Sequence, residues 1–286
     1  MCCITTQGLS TSARRDSLMG MFRNLLMQQT LAANDLTEVY AYAAQYNVTA
    51  AQVDAIIAEQ PAMSDRLIAW KYLIHSLANT GCTPYLVGNG VSYINTEVLP
   101  EQGSDMEVVF ICNEANKCMV GSRDTRYKSG FLFGYFYEEA KGYIAYGGSS
   151  DKYTFANSVC NTQKHTILIT GGSPATITLD MSEPSSISTS KFTSFRPVFI
   201  YTWNTSGGAD NRIATSKTKI SYVRITTRTP DAITGVKPNK YYGVPYCQNG
   251  IYGMLDLTTD TFKASAVQNG LFSYELRDSN NNVVVI

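Results

Sequence analysis

The sequence predicts an all-β sandwich over residues 82–286 behind a small α-helical region over residues 1–81. Two observations carry that prediction. Only Gly8 and Gly20 fall in the first 80 residues, whereas nineteen of the 21 glycines and eight of the nine prolines come later. Helices avoid both residues, and sandwich-type β domains use them at every turn. From Pro84 onward the hydrophobic period changes to two, and aromatic residues rise from six in the first 80 positions to 26 in the remaining 206. No alternation of strands with helices appears, which argues against a parallel α/β sheet.

The first helix is predicted from Ser12 to about Leu31, where Leu18, Met21, Phe22, Leu25 and Leu26 follow helical spacing. Asn34 is the N-cap of a second, bearing Leu36, Val39, Tyr40 and Ala43. Thr49 with Gln52 three residues on is a capping box that opens a short helix ended by Pro61. Ser64 caps the last, which closes on Gly81. In it Leu67, Trp70, Ile74 and Leu77 follow a 3-4-3 spacing. That spacing suits the seam of a homo-oligomeric, trimeric stalk, and equally an apolar stripe packed inside one chain.

Beyond Pro84 the runs MEVVFIC, KCMVGS, FLFGYFY, GYIAYG, HTILIT, ATITLDM, RPVFIYTW, KISYVRITT, IYGMLDL and FSYELR read as strands. Gly, Asn, Ser and Pro clusters separate them, with hairpin joins at EEAKG and DSNNN. About a dozen short strands at this spacing make an antiparallel sandwich.

Composition excludes more than it names. Basic and acidic residues balance at 23 each, so nothing condenses on phosphate and no nucleic-acid partner is expected. No apolar run reaches the roughly 20 residues of a membrane-spanning helix, and no membrane insertion is expected. The start, MCCITTQGLSTSARRDSLMG, has no apolar core behind a basic start, so no secretory signal is expected. Seven cysteines without C-x-x-C spacing, and only His75 and His165, leave no metal site in view. Cys112 and Cys118 flank NEANK and could bridge across a hairpin; free buried thiols in a reducing compartment are the alternative.

YLVGNGVSYINTEV (85–98) and VPYCQNGIYGMLDLTTDTFKASAVQNGLF (244–272) carry a resemblance. They resemble the opening and closing signatures of a concanavalin A-like, laminin-G-type jelly-roll family. The closing pattern is met by Pro245, Cys247, Gly253, Asp256, Leu257, Phe262, Asn269, Gly270 and Phe272, with one extra residue between Gly253 and Asp256. Asn95 and Glu97 depart from the opening pattern, standing where the family commonly has Asp and Gly. The resemblance implies a jelly-roll sandwich over roughly 84–274. It also implies a glycan-binding or structural module of the kind found in bacteriophage structural proteins and gut bacterial surface proteins.

Candidate chemistry falls in three places. Asp105 and Glu107 at i and i+2 share one strand face, roughly the separation a glycosidase pair needs, although Phe110 stands where a third carboxylate is expected. A solvated strand start after Gly103-Ser104 is the preferred explanation of the two. Cys160 and His165 lack a third orienting group, and His165 reads as structural. For sugars, Tyr201, Trp203, Asn204, Asp210 and Arg212 surround a Gly-rich loop, with the indole expected at the loop edge as a platform. Tyr135 and Tyr137 add a tyrosine-rich hairpin face; core or interface positions account for all these aromatics too.

The expectation is a non-enzymatic bacteriophage virion component, a head or tail fibre or decoration protein. Its helices would join other virion proteins, and its lectin-like sandwich would face host polysaccharide. The virion surface is its expected location, after assembly in the host bacterial cytoplasm. A glycan hydrolase of the same fold and a bacterial surface adhesin are the alternatives. No cofactor is expected, and the sequence offers no support for calcium.

Overall fold

The computed structural model describes residues 82–114, 117–124, 129–133, 143–148, 152–155, 159–189, 192, 196–205, 208–209, 213–227, 240–259, 261–278 and 280–284, with Thr49 and a helical Ala51 ahead of them. Leu67, Trp70, Ile74 and Leu77, and with them the expected seam, lie outside the described residues. The strands in chain order begin with β1 (Thr83–Val87), β2 (Ile94–Asn95), β3 (Asp105–Cys112), β4 (Val120–Asp124), β5 (Ser129–Phe133) and β6 (Tyr143–Gly147). Next come β7 (Lys152–Thr154), β8 (Asn161–Thr170), β9 (Ala175–Leu179), β10 (Ser185–Ile187), β11 (Phe199–Ile200), β12 (Trp203–Thr205) and β13 (Gly208–Ala209). The last are β14 (Thr218–Thr226), β15 (Lys240–Gln248), β16 (Ile251–Asp256), β17 (Thr261–Lys263), β18 (Ser273–Arg277) and β19 (Val283–Val284).

Two units divide the chain, and the sandwich is the unit Tyr85–Tyr274. Its larger sheet runs β10-β9-β8-β3-β14-β1, with β15, β16 and β17 continuing from β14. The smaller runs β13-β12-β4-β5-β6-β7, with β11 bridging β2 and β4. Among the described strand pairings of the two sheets all are antiparallel apart from β12 on β4, which is parallel. The fold is therefore the predicted two-sheet antiparallel sandwich. Four of the strands that end these ladders are short: β10, β17 and β7 have three residues each and β13 has two.

Alternation explains the core. Met106, Val108 and Phe110 of β3 and Ile167 and Ile169 of β8 point inward from the large sheet. Phe131 and Phe133 of β5 and Ile144 and Tyr146 of β6 meet them from the small one. In β14 the inward residues are Ile220, Val223 and Ile225, out of step by one, because the register against β3 shifts between Ile220 and Tyr222. Strand β15 contains Gly243 and Pro245, both unusual in strands. A Cβ on Gly243 would lie 2.5 Å from the Tyr241 ring, so only glycine fits there. Pro245 lies beyond Gly243, the last β15 residue paired to β14, so its missing N–H removes no bond to that strand.

Cys112 and Cys118 do not face each other across a hairpin, because β3 and β4 lie in different sheets. Cys112 belongs to the core between the sheets, whereas Cys118 packs with Trp203 and Ala145; both are free thiols.

In the second unit, β18 and β19 form a hairpin with Leu276 opposite Val284 and Arg277 opposite Val283. The DSNNN turn closes it as predicted: the Asp278 carboxylate accepts from the Asn280 and Asn282 N–H groups at 2.9 and 2.8 Å, and Asn281 takes a φ of 65°.

Candidate functional site

The expected sugar platform is not on the surface. Tyr201 is 0% exposed, Trp203 3% and Asn204 2%. The run RPVFIYTW is two strands, because Tyr201 adopts a left-handed backbone with φ 74° and turns the chain between β11 and β12. Such a φ is rare for a bulky residue and has to be held by its surroundings. Three hydrogen bonds hold it. The Tyr201 N–H donates to Met119 O at 2.5 Å, Ala214 N–H donates to Tyr201 O at 2.8 Å, and the phenol donates to Leu86 O. Complete burial pushes the Tyr201 phenol well above its ordinary pKa.

After that turn, Trp203 pairs with Gly121 of β4, and its indole packs on Cys118 and Ala145 with Tyr143 beside them. The Arg123 guanidinium lies 5.7 Å from the ring centroid. Asn204 Nδ2 donates to Pro197 O at 3.1 Å. The loop-edge placement of Tyr201, Trp203 and Asn204 is thereby corrected: Gly207-Gly208 suggests a loop, but the turn at Tyr201 returns the chain to the sheet. Asp210, Arg212, Tyr135 and Tyr137 lie outside the described residues.

Asp105 and Glu107 share a strand face, as their spacing requires, and both carboxylates meet partners within the chain. Asp105 accepts from the Gly171 N–H at 2.7 Å and from Thr226 Oγ1 at 3.2 Å. Glu107 is 1% exposed and faces Arg224, its register partner on β14, with Oε2 3.2 Å from Nε. Burial raises the Glu107 carboxyl above its ordinary pKa, and the charge of Arg224 works against that rise.

His165 is also committed. Its Nδ1 lies 2.6 Å from Asp180 Oδ2 and its Nε2 3.0 Å from Asn161 Oδ1, so it ties β8 to the end of β9. The structural reading of that residue agrees with these bonds.

The two signature strings meet at one rim of the sandwich. Asn89 Oδ1 accepts from the Val91 and Ser92 N–H groups, and its Nδ2 donates to Ser92 Oγ at 2.8 Å and Leu271 O at 2.5 Å. A Cβ on Gly270 would lie 2.6 Å from both Ser92 Oγ and Ser265 Oγ, so the turns touch there. Val91 is 53% exposed and Leu271 68%, and Gln268 and Asn269 are exposed beside them. Glu97, at the family's glycine position, has a φ of 67°. The Asn95 side chain accepts its N–H at 2.9 Å, and its carboxylate meets Lys263 Nζ at 2.9 Å. The backbone is the one glycine would prefer, kept by a glutamate with local support.

Sequence reasoning missed Arg224, which sits inside the apolar run KISYVRITT, and the proximity of Cys160 to Cys112. No local signal marks either, since both depend on which strand lies next to β3. Among the described residues, no group of three or more His, Cys, Asp or Glu side chains is placed to hold a metal ion, and no helix is long and apolar enough to cross a membrane.

No protein-family model matches the chain, and no curated protein matches it. Solved structures do. Domains LG4-5 of the mouse laminin α1 chain align over 50% of this chain and 41% of theirs, at 13% identity and a TM-score of 0.39. A candidate carbohydrate-binding protein from Bacteroides ovatus aligns over 68% of this chain and 60% of its own, at 13% identity and a TM-score of 0.46. The LG1-3 region of the laminin α2 chain aligns over 70% and 30%, at 10% identity and a TM-score of 0.37. The chain thus spans less than two thirds of each of these structures, and they include laminin G domains, the module type that the two signature strings resemble.

Proposed function

We propose that the sandwich is a non-enzymatic, lectin-like module that binds carbohydrate. The observation that carries this reading is the fate of the β3 carboxylates. Hydrolysis of a glycosidic bond needs an acid and a base or nucleophile facing the sugar. Asp105 is held by Gly171 and Thr226, and Glu107 is buried against Arg224. Binding makes no such demand. The rim formed by the two signature turns offers the exposed Gln268 and Asn269 amides, suited to sugar hydroxyls, beside Val91 and Leu271. In this reading the chain is a bacteriophage fibre or decoration protein whose amino-terminal region joins other virion proteins, on the strength of the resemblance of both signatures.

The test is retention of the full chain on host capsular and cell-wall polysaccharides, with reducing ends assayed in the same tubes. Retention without new reducing ends is expected. Release of reducing ends would replace this reading with a hydrolase. Antibody labelling of particle surfaces tests the virion setting separately.

A further inference from the structure

Cys112 and Cys160 come together where β3 ends and β8 begins. Cys112 ends β3 opposite Asn161, and the β3–β8 register slips between Phe110 and Cys112, which brings residue 160 alongside. Both sulfurs converge on one carbonyl: Cys160 Sγ lies 3.1 Å and Cys112 Sγ 3.4 Å from Glu114 O. The turn that carries this carbonyl is fixed by its own carboxylate, which accepts from the Thr215 N–H and Thr215 Oγ1 at 2.7 Å each and from Thr218 Oγ1. The pair is asymmetric. Cys112 is buried in the core, while Cys160 is only half-buried.

We propose that Cys112 and Cys160 form a reversible thiol–disulfide site that takes hydrogen peroxide or another small peroxide as oxidant and a low-molecular-weight thiol as reductant. The half-buried Cys160 is the attacking group, and its thiol is lowered to about 7, chiefly by the hydrogen bond from Cys112 and also by the charge of Lys217. Burial and the Glu114 carboxylate oppose that shift. The Cys112 thiol moves the other way, upward, and so keeps its proton. In the first step the Cys160 thiolate attacks peroxide, the O–O bond breaks, sulfur is oxidised to a sulfenic acid and hydroxide leaves. In the second, Cys112 sulfur attacks Cys160 sulfur, the S–OH bond breaks, and the Cys112 proton departs with that hydroxyl as water. Two molecules of external thiol reverse the process and leave as their own disulfide.

The experiment treats the full chain with one equivalent of hydrogen peroxide, then alkylates it and maps its proteolytic fragments. A fragment pair joined through Cys112 and Cys160, released by dithiothreitol, is expected. In Cys112→Ser, Cys160 should persist as a sulfenic acid trapped by dimedone. Iodoacetamide should label Cys160 at pH 7 about sixfold more slowly in Cys112→Ala, which leaves no donor at that position, than in the wild type. That figure is the gain in thiolate fraction between an ordinary thiol at 9.0 and one at about 7, reduced by the lower nucleophilicity of the weaker base. Should Cys112→Ser fail to fold, the wild-type map and Cys160→Ser, which should yield neither cross-link nor modified Cys112, decide the matter. Sulfinic acid at Cys160 with Cys112 still alkylatable in the wild type overturns the proposal, and so does an unchanged labelling rate in folded Cys112→Ala.

Discussion

On the outer face of the large sheet the chain buries an ion pair, Glu107 with Arg224; on the outer face of the small sheet it buries an indole, Trp203. The two are equally hidden and physically opposite. Taking two charges out of water costs about as much as their attraction returns, so the pair adds little net stability while making each member intolerant of losing the other. A tryptophan gives up roughly 150–250 Å² of surface to its neighbours and is favourable in proportion to that area. One feature fixes which β3 residue faces which β14 residue, and the other holds the small sheet's face together.

Removing the ring should have the largest effect. Trp203→Ala is expected to cost about 3–5 kcal/mol in urea unfolding, and Trp203→Phe to recover much of it, because volume is what the site requires. A Trp203→Ala protein of wild-type stability would mean that the indole is not a packing element. The pair should respond differently. Glu107→Gln removes the charge that faces Arg224 and should cost about 3 kcal/mol, yet replacing both residues together, Glu107→Met with Arg224→Leu, should return stability to within about 1 kcal/mol of wild type. Failure of the double replacement to recover would show that the charges themselves stabilise the sheet.

Next in size is a pH effect. Burial holds the Glu107 carboxyl above its ordinary 4.5, so the folded chain keeps that proton to higher pH than the unfolded chain does. Its contribution to stability is therefore present in acid and lost as pH rises from 4.5 through the folded value, with a slope of at most about 1.4 kcal/mol per pH unit. Subtracting the Glu107→Gln pH profile from the wild-type profile isolates this slope; a difference of opposite sign would show that Arg224 dominates the site. The smallest effect belongs to the rim. Glu97→Gly relieves a left-handed glutamate at the expense of an exposed ion pair with Lys263, for a net gain of about 0.5–1 kcal/mol in thermal unfolding. A loss instead would make that ion pair the stronger term.

Period-two runs made β3, β8, β14 and β16 legible, because each presents one apolar face to the core. Strand β15 stayed hidden, since Gly243 and Pro245 read as punctuation until the pairing with β14 is known to stop short of the proline. Tyr201 shows the opposite failure: an unbroken apolar run conceals a reversal that only its three long-range hydrogen bonds enforce. The shared face of Asp105 and Glu107 followed from spacing alone. Arg224 did not, because nothing in KISYVRITT says which β3 residue it faces. Glu97 was legible as a departure from a glycine position, and the structure supplies the backbone angle behind it.

Four ladder ends of the sandwich are strands of two or three residues, β13, β7, β10 and β17. An exposed strand edge is a template on which a neighbouring copy can polymerise, and the hazard grows with its length and with the local density of copies. Each of these four strands offers few unpaired backbone groups, so a second molecule finds only a short foothold on it. Growth of a sheet from one copy into the next is therefore disfavoured at these four ends.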